Sequence, residues 1–454
     1  MATLRDDFMW GNSTSSMQYD GAQHEGGKGP SVYEHFDGAW EEAVDGYHRY
    51  REDIALMKDM GMNCYRFQTS WSRVMPHGVG EINEEGLKYY SDTVDELLAQ
   101  GIEPMVCLYH FDMPLELAEK YHGFASKEVV DAFVEYAKVV IDTLAPRVKW
   151  WVPFNEQNAF GSTLGPLIAG DLRPEAADDE NEIFQVLHNS LVALARVERY
   201  LHEHYPESKV GCMAAFTPVY PASNDPVDVH AAHEAERFSD WLYYDVCTHG
   251  AYPAYFKSYV SAHNLSVDMT EQELADLANA RYDFASLSYY RSQSVSGAQA
   301  GNVPVTKIIE AGGVRNEHLK ANEWNWEIDP LGFRYSLTEI HQRTGLPVFS
   351  LENGIGWRES LPADGSEIQD DYRIDYHRAH IRAMKDAVAF DGVDVLGYLG
   401  WGLIDIPSSS GDTEKRYGNV FVDYAGAGEK HLARYPKKSY AWIKRAFESN
   451  GEEL

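Results

Sequence analysis

Short apolar runs recur along the chain, each followed by a longer stretch with apolar positions three or four apart. The runs cover residues 8–11, 63–67, 104–108, 150–154, 209–215, 284–288, 347–351 and 395–399. Several are apolar throughout rather than alternating, which predicts strands buried on both faces, as in a parallel sheet covered by helices. The intervening segments predict helices. From Asn83, apolar residues fall at Leu87, Tyr90, Val94, Leu97 and Leu98, with Glu84 and Glu85 after the capping Asn83 and Gly101 at the close. After Ser126 a second stripe runs through Val130, Phe133, Ala137, Val140 and Leu144. Thr270-Glu-Gln-Glu273 reads as a capping box. The connections 216–282 and 289–346 are long and predict extra helices or loops.

Length alone suggests two or three domains. There is no linker, charge block or composition shift to divide them. Eight strand–helix units instead predict an α/β chain, a single (β/α)8 TIM barrel with long inserted loops over residues 1–454. The alternative is an open doubly wound sheet. The glycine-rich phosphate loops of nucleotide folds are missing, and Gly26-Gly-Lys-Gly-Pro30 has the wrong spacing.

Composition narrows the partners. With 71 acidic and 39 basic side chains, the net charge is −32, which repels nucleic acid and anionic lipid. Hydrophobic residues at 44% and aromatics at 13% fit a folded globular chain rather than a disordered one. The opening Met1-Ala-Thr-Leu-Arg-Asp-Asp7 lacks an apolar core and a cleavage site, and no run of about 18 apolar residues occurs. Cys64, Cys107 and Cys212 lie in apolar runs, and no cysteine, Cys247 included, forms a C-x-x-C pair. Together these predict a cytoplasmic protein with buried, reduced thiols. His230, His233 and Glu234 have a helical spacing, which reads as an acidic surface rather than a metal site.

Barrel enzymes carry their chemistry at the C-terminal ends of the strands. There the runs are followed by Ser15, Ser16 and Gln18; His110 and Asp112; Asn155 and Glu156; Tyr289 and Tyr290; Glu352 and Asn353; and Trp401 and Asp405. Carboxylates, amides, an imidazole and aromatic faces together suit a sugar. Glu156 and Glu352 each stand immediately beyond an apolar strand, in a low-dielectric mouth that can raise a carboxyl pKa. Retaining glycosidases use two carboxyl groups about 5 Å apart. Spacing alone favours two solvated glutamates in ordinary loops.

Trp150-Trp-Val-Pro-Phe-Asn-Glu-Gln157 and Pro347-Val-Phe-Ser-Leu-Glu-Asn-Gly354 resemble the two active-site signatures of glycoside hydrolase family 1. Residues 8–21, 65–76 and 108–114 resemble further family motifs, and the matches run in order from about residue 8 to about residue 445. The resemblance implies the same barrel, with Glu156 as acid/base and Glu352 as nucleophile. It implies Tyr290 as the tyrosine bonded to the nucleophile, and Gln18, His110 and Asn155 as glycone ligands. Trp401 would lie under the glycone and Trp326 would form the aglycone platform. The chemistry needs no cofactor and no metal.

Three departures stand out. Many members have Pro where this chain has Gln157 and Trp where it has Phe111. Ordinary β-glucosidases place a Glu, which holds the outer hydroxyls of the sugar, where this chain has Ser408. Removing a carboxylate and supplying hydroxyls and an ammonium is what a 6-phosphate requires. Ser408, Lys415 and Tyr417 match the phosphate triad of the 6-phospho-β-glycosidase branch. Were 415–421 extended, Lys415 and Tyr417 would share a face and Arg416 would point away. Galactoside enzymes of that branch carry Trp at the position of Ser409, so the serine favours the glucoside. The reading is a retaining 6-phospho-β-glucosidase acting on a phosphorylated β-glycoside. The alternatives are a 6-phospho-β-galactosidase, a β-glucosidase for plain glucosides, and a non-catalytic sugar-binding relative. The last is disfavoured because both glutamates are present. Aglycone and oligomeric state are left open.

Overall fold

The computed structural model describes residues 4–36 and 38–454; the first residues of the stretch inspected above for a leader lie outside them. The eight runs form eight parallel strands: β1 Met9–Ser13, β2 Cys64–Gln68, β3 Glu103–Tyr109, β4 Trp150–Phe154, β5 Lys209–Ala215, β6 Phe284–Tyr289, β7 Val348–Asn353 and β8 Val395–Trp401. Each pairs with its sequence neighbours, and β8 returns to β1 with Met9 opposite Gly397 and Ser13 opposite Trp401. The closed barrel excludes the doubly wound alternative and leaves no sheet edge unpaired.

Strand alternation sorts the side chains into two cores. Cys64, Met105, Val152, Met213, Phe284, Phe349 and Leu399, one from each strand β2 to β8, form a cluster that plugs the barrel. A much larger cluster lies between the strands and the surrounding helices. The helix Glu84–Ala99 buries Leu87, Tyr90, Val94 and Leu97, the predicted stripe, while Leu98 stays exposed. Its Asn83 cap accepts from the Glu85 amide. The helix Lys127–Leu144 follows Ser126, and Glu271–Asn279 starts with the capping box on Thr270. The two long connections carry further helices and a small sheet of Val219–Pro221, Gln293–Val295 and Gly313–Val314. His230 and His233 are exposed on the helix Pro226–Glu236.

A buried ionic network fastens the segment after β8. Asp405 accepts from Lys437 (2.8 Å) and Arg416 (3.2 Å), while Arg373 pairs with Asp370 (2.9 Å) and Glu359 (3.1 Å). Arg373 also donates to the carbonyls of Ile355 (2.9 Å) and Tyr417 (2.6 Å), tying the loops after β7 and β8 together. Losing one member would leave a buried charge unpaired, which costs about 3–5 kcal/mol. Among the described residues no helix is long and apolar enough to cross a membrane.

All four cysteines are free and buried. Unreduced protein in denaturant is expected to titrate four thiols with a thiol reagent, and native protein to react far more slowly. Titration of only two thiols in fresh denatured protein would contradict this arrangement.

Candidate active site

The strand ends build one cavity of about 610 Å³ at the barrel mouth. Gln18, His110, Glu156, Tyr290, Trp326, Glu352, Trp401, Ser409 and Tyr417 all line it. Asn155, Ser408 and Lys415 are not among its lining residues. The paired strands β6 and β7 slip in register between Ser350 and Glu352, which sets Glu352 opposite Ser288. Asn353 then turns away from the cavity, bonding the Tyr289 carbonyl (2.6 Å) and the Tyr398 hydroxyl (2.6 Å).

Arg66, from the middle of β2, organises the floor. Its guanidinium is fully buried and donates to Glu352 Oε1 (2.7 Å) and to Asn155 Oδ1 (2.7 Å). That contact fixes the Asn155 amide, whose nitrogen must then donate to His110 Nε2 (3.1 Å). Burial and the charge of Arg66 push the His110 pKa well down, so the imidazole is neutral, with its proton on Nδ1. Nδ1 has no partner among the described residues. Tyr290 donates its hydroxyl to Glu352 Oε2 (2.7 Å). Gln18 is held by the Pro407 carbonyl (2.7 Å) and the Ser15 hydroxyl (2.6 Å).

The two glutamates differ in proton affinity. Burial raises the Glu352 pKa, while Arg66 and Tyr290 oppose the rise by bonding its anion. Among the described residues Glu156 has only the Ser288 hydroxyl as a direct side-chain partner. Burial first, and then the charge of Glu352, push Glu156 up to about 7. The negative charge therefore rests on Glu352 and the proton on Glu156 near neutrality. Glu156 also has a left-handed backbone (φ 43°), a strain of about 1–3 kcal/mol of the kind concentrated at working sites.

The far wall is cationic and aromatic. Lys415 is only 7% exposed and lies 3.6 Å over the Trp326 ring, 5.3 Å from Trp324 and 5.5 Å from Tyr417. Gly356 makes room for its stem, since a Cβ there would meet Lys415 Cγ at 2.8 Å. Burial, then Arg291, lower the Lys415 pKa to about 8. Arg416 points the opposite way, to Asp405, as the extended reading of that segment required. Ser408 keeps its side chain within its own turn, 2.9 Å from the Ser410 hydroxyl, while Ser409 and Ser410 face the cavity.

Several strand-end residues read above as mouth residues are structural. Tyr289 is buried outside the barrel and donates to the Asp329 carbonyl (2.7 Å), because alternation gives the mouth to Tyr290. Asp112 is buried against Gln68 and Ser16, and Asp405 belongs to the ionic network. The residues missed were Arg66, Ser288 and Arg291. For Arg66 the signal was present: a lone arginine inside an apolar strand must have a buried partner. Of the two other departures, Phe111 lines the cavity, whereas Gln157 is buried with neither amide atom bonded to the described residues.

The family model described as Glycosyl hydrolase family 1 matches residues 1–452. The chain belongs to that family. It is a glycoside hydrolase, as the resemblance of its two glutamate motifs implied. It is 37% identical over its whole length to the aryl-phospho-β-D-glucosidase BglA of Bacillus subtilis, covering all of that protein. With the 6-phospho-β-glucosidase AscB of Escherichia coli the identity is 36%, again over all of both chains. A solved family 1 β-glucosidase from Thermotoga maritima superposes with a TM-score of 0.88 at 29% identity, covering 100% of this chain and 99% of that one.

The raised Glu156 pKa carries a stability cost. The native state holds a proton that the unfolded chain, with an ordinary carboxyl near 4.5, releases earlier, so stability falls as pH rises from 4.5 through about 7. Glu156→Gln, which mimics the protonated acid, is expected to stabilise the protein above pH 7, on the order of 2 kcal/mol after discounting for cavity water. The gain should shrink to a small fraction near pH 5 in thermal melts. An equal gain at both pH values would show that Glu156 does not titrate in this way.

Proposed function

We propose that the protein is a retaining 6-phospho-β-glucosidase whose single barrel domain releases glucose 6-phosphate from β-glucoside 6-phosphates. The observation that carries the phosphate is Lys415. Of the buried lysines, Lys385 pairs with Glu452, and Lys437 pairs with Glu359 and Asp405. Lys415 has no carboxylate within ion-pair range among the described residues. A buried, unpaired ammonium packed against two residues that line the cavity, Trp326 and Tyr417, in a chain of net charge −32, calls for an anionic ligand. The curated relatives, whose names specify phosphorylated glucosides, support the same substrate class. The small Ser409 favours glucose over galactose, and four buried thiols support a cytoplasmic setting.

In this reading Glu352, kept anionic by Arg66 and Tyr290, attacks the anomeric carbon. Glu156 gives its proton to the departing oxygen and loses it as Glu352 becomes an uncharged ester. Glu156 then takes a proton from the water that attacks the glycosyl ester. Asn155 and His110, both neutral and both positioned by Arg66, hold sugar hydroxyls, and Trp401 lies against the ring. Lys415 and Tyr417 donate to the phosphate, and Ser408 joins them by exchanging its bond to Ser410.

Azide rescue separates the two glutamates. Glu352→Ala is expected to be inactive and to regain turnover with azide as the α-glycosyl azide. Glu156→Ala should keep attack on activated aryl groups and give the β-azide. Full activity of Glu156→Ala on poor leaving groups across pH would overturn the assignment.

Three hydrogen bonds to a charged group, at roughly 1.5–3 kcal/mol each, total about 4–9 kcal/mol if additive. Even the low end is about a thousandfold in kcat/KM. The phosphorylated glucoside should therefore be preferred over the plain one by at least about a thousandfold. Lys415→Ala should remove most of that preference. Equal kcat/KM for the two wild-type substrates would sink the phosphate reading and leave the glycosidase standing.

A further inference from the structure

The second unpaired cation at the cavity is Arg291. Every other arginine that is not exposed has a carboxylate within 4.0 Å, from Arg66 with Glu352 to Arg434 with Asp53. Arg291 has no ion pair and no hydrogen bond from its side chain among the described residues. It follows Tyr290 at the end of β6, and its guanidinium lies 5.4 Å from the Trp326 ring. It lines the active-site cavity and also a second, polar cavity of about 270 Å³, shared with Gln293, Ser294, Arg315, Asn325 and Glu327. Arg291 thus stands where the two spaces meet.

Arg291 is close enough to Lys415 to lower that ammonium's pKa, but only Arg291 also reaches the second cavity. Tyr417 and Ser409 line the first cavity only, and neither they, Ser408 nor Lys415 reach the second. Arg291 lies against Trp326, the residue read as the aglycone platform, so it stands near where the group beyond the scissile bond would leave. Leaving a guanidinium partly buried without an acceptor is costly, and a planar carboxylate satisfies it with two parallel bonds. Burial lowers the Arg291 pKa, and the field of Glu327, which does not come within ion-pair range, opposes that by favouring the charged arginine. That residual negative field disfavours a dianion and suits a ligand of single charge.

We propose that Arg291 binds an anionic substituent on the aglycone, so that the enzyme favours leaving groups bearing a carboxylate. This rests on the reading of Glu156 and Glu352 as the catalytic pair and of Trp326 as the aglycone side.

The test uses four substrates on the full-length protein: 4-nitrophenyl and 3-carboxy-4-nitrophenyl β-glucosides, each with and without the 6-phosphate. Wild type is expected to show kcat/KM at least about tenfold higher for the carboxylated member of a pair, mostly through KM and weakening with salt. Arg291→Gln should bring that ratio to one or below, and Arg291→Lys should retain part of it. Because each ratio is taken within one variant, a partly unfolded preparation does not disturb it. A wild-type ratio at or below one, or a ratio unchanged in Arg291→Gln, overturns the proposal. So does a fall in the phosphorylated-to-plain ratio with the carboxylate ratio intact, since Arg291 would then serve the phosphate. If the wild type ignores the phosphate altogether, the unphosphorylated pair still reads the carboxylate effect, so the two proposals fail separately.

Discussion

A single buried guanidinium in the middle of β2 sets the electrostatics of the cavity. Arg66 holds Glu352 and Asn155 at once, and through Asn155 it sets the tautomer of His110. A bare arginine could not be buried there, and two carboxylates could not both stay ionised side by side. Each problem solves the other. Glu352 stays anionic because Arg66 and Tyr290 bond it, and its charge keeps the proton on Glu156. The proton affinities that double displacement needs are thus properties of a four-residue unit drawn from β2, β4, β6 and β7.

Much of this was legible in the sequence, for a physical reason. A closed parallel barrel buries both faces of its strands, so each strand appears as a dense apolar run whose end is marked by the first polar residues. That located Glu156, Glu352, His110 and Trp401. The same signal fails one residue further on, where alternation and the register slip in β7 decide which neighbour faces the cavity. Tyr289 and Asn353 turned out to hold the wall together for that reason. Asp405 and Asp112 were lost differently: a carboxylate near a strand end looks the same whether it meets substrate or a buried lysine. Arg291 was passed over because nothing in its immediate sequence shows that it lacks a partner.

The acidic surface and the cationic cavity wall are complementary. With a net charge of −32, the field at long range opposes an anionic substrate. Within a few ångströms Lys415 and Arg291 reverse it, because neither is neutralised by a neighbour and both are shielded from water. Burial first, and then their mutual repulsion, lower the pKa of Lys415, and an anion entering the cavity would relieve both.

The position of Lys415 on the face of Trp326 has an evolutionary consequence. One indole is at once a wall of the cavity and the support under the ammonium, so the recognition of the two ends of a substrate shares a part. Substitutions at Trp326 that open the enzyme to new leaving groups would also release Lys415 from its seat. Diversification of the leaving group would then be selected around that tryptophan, at positions such as Arg291, rather than at the tryptophan itself.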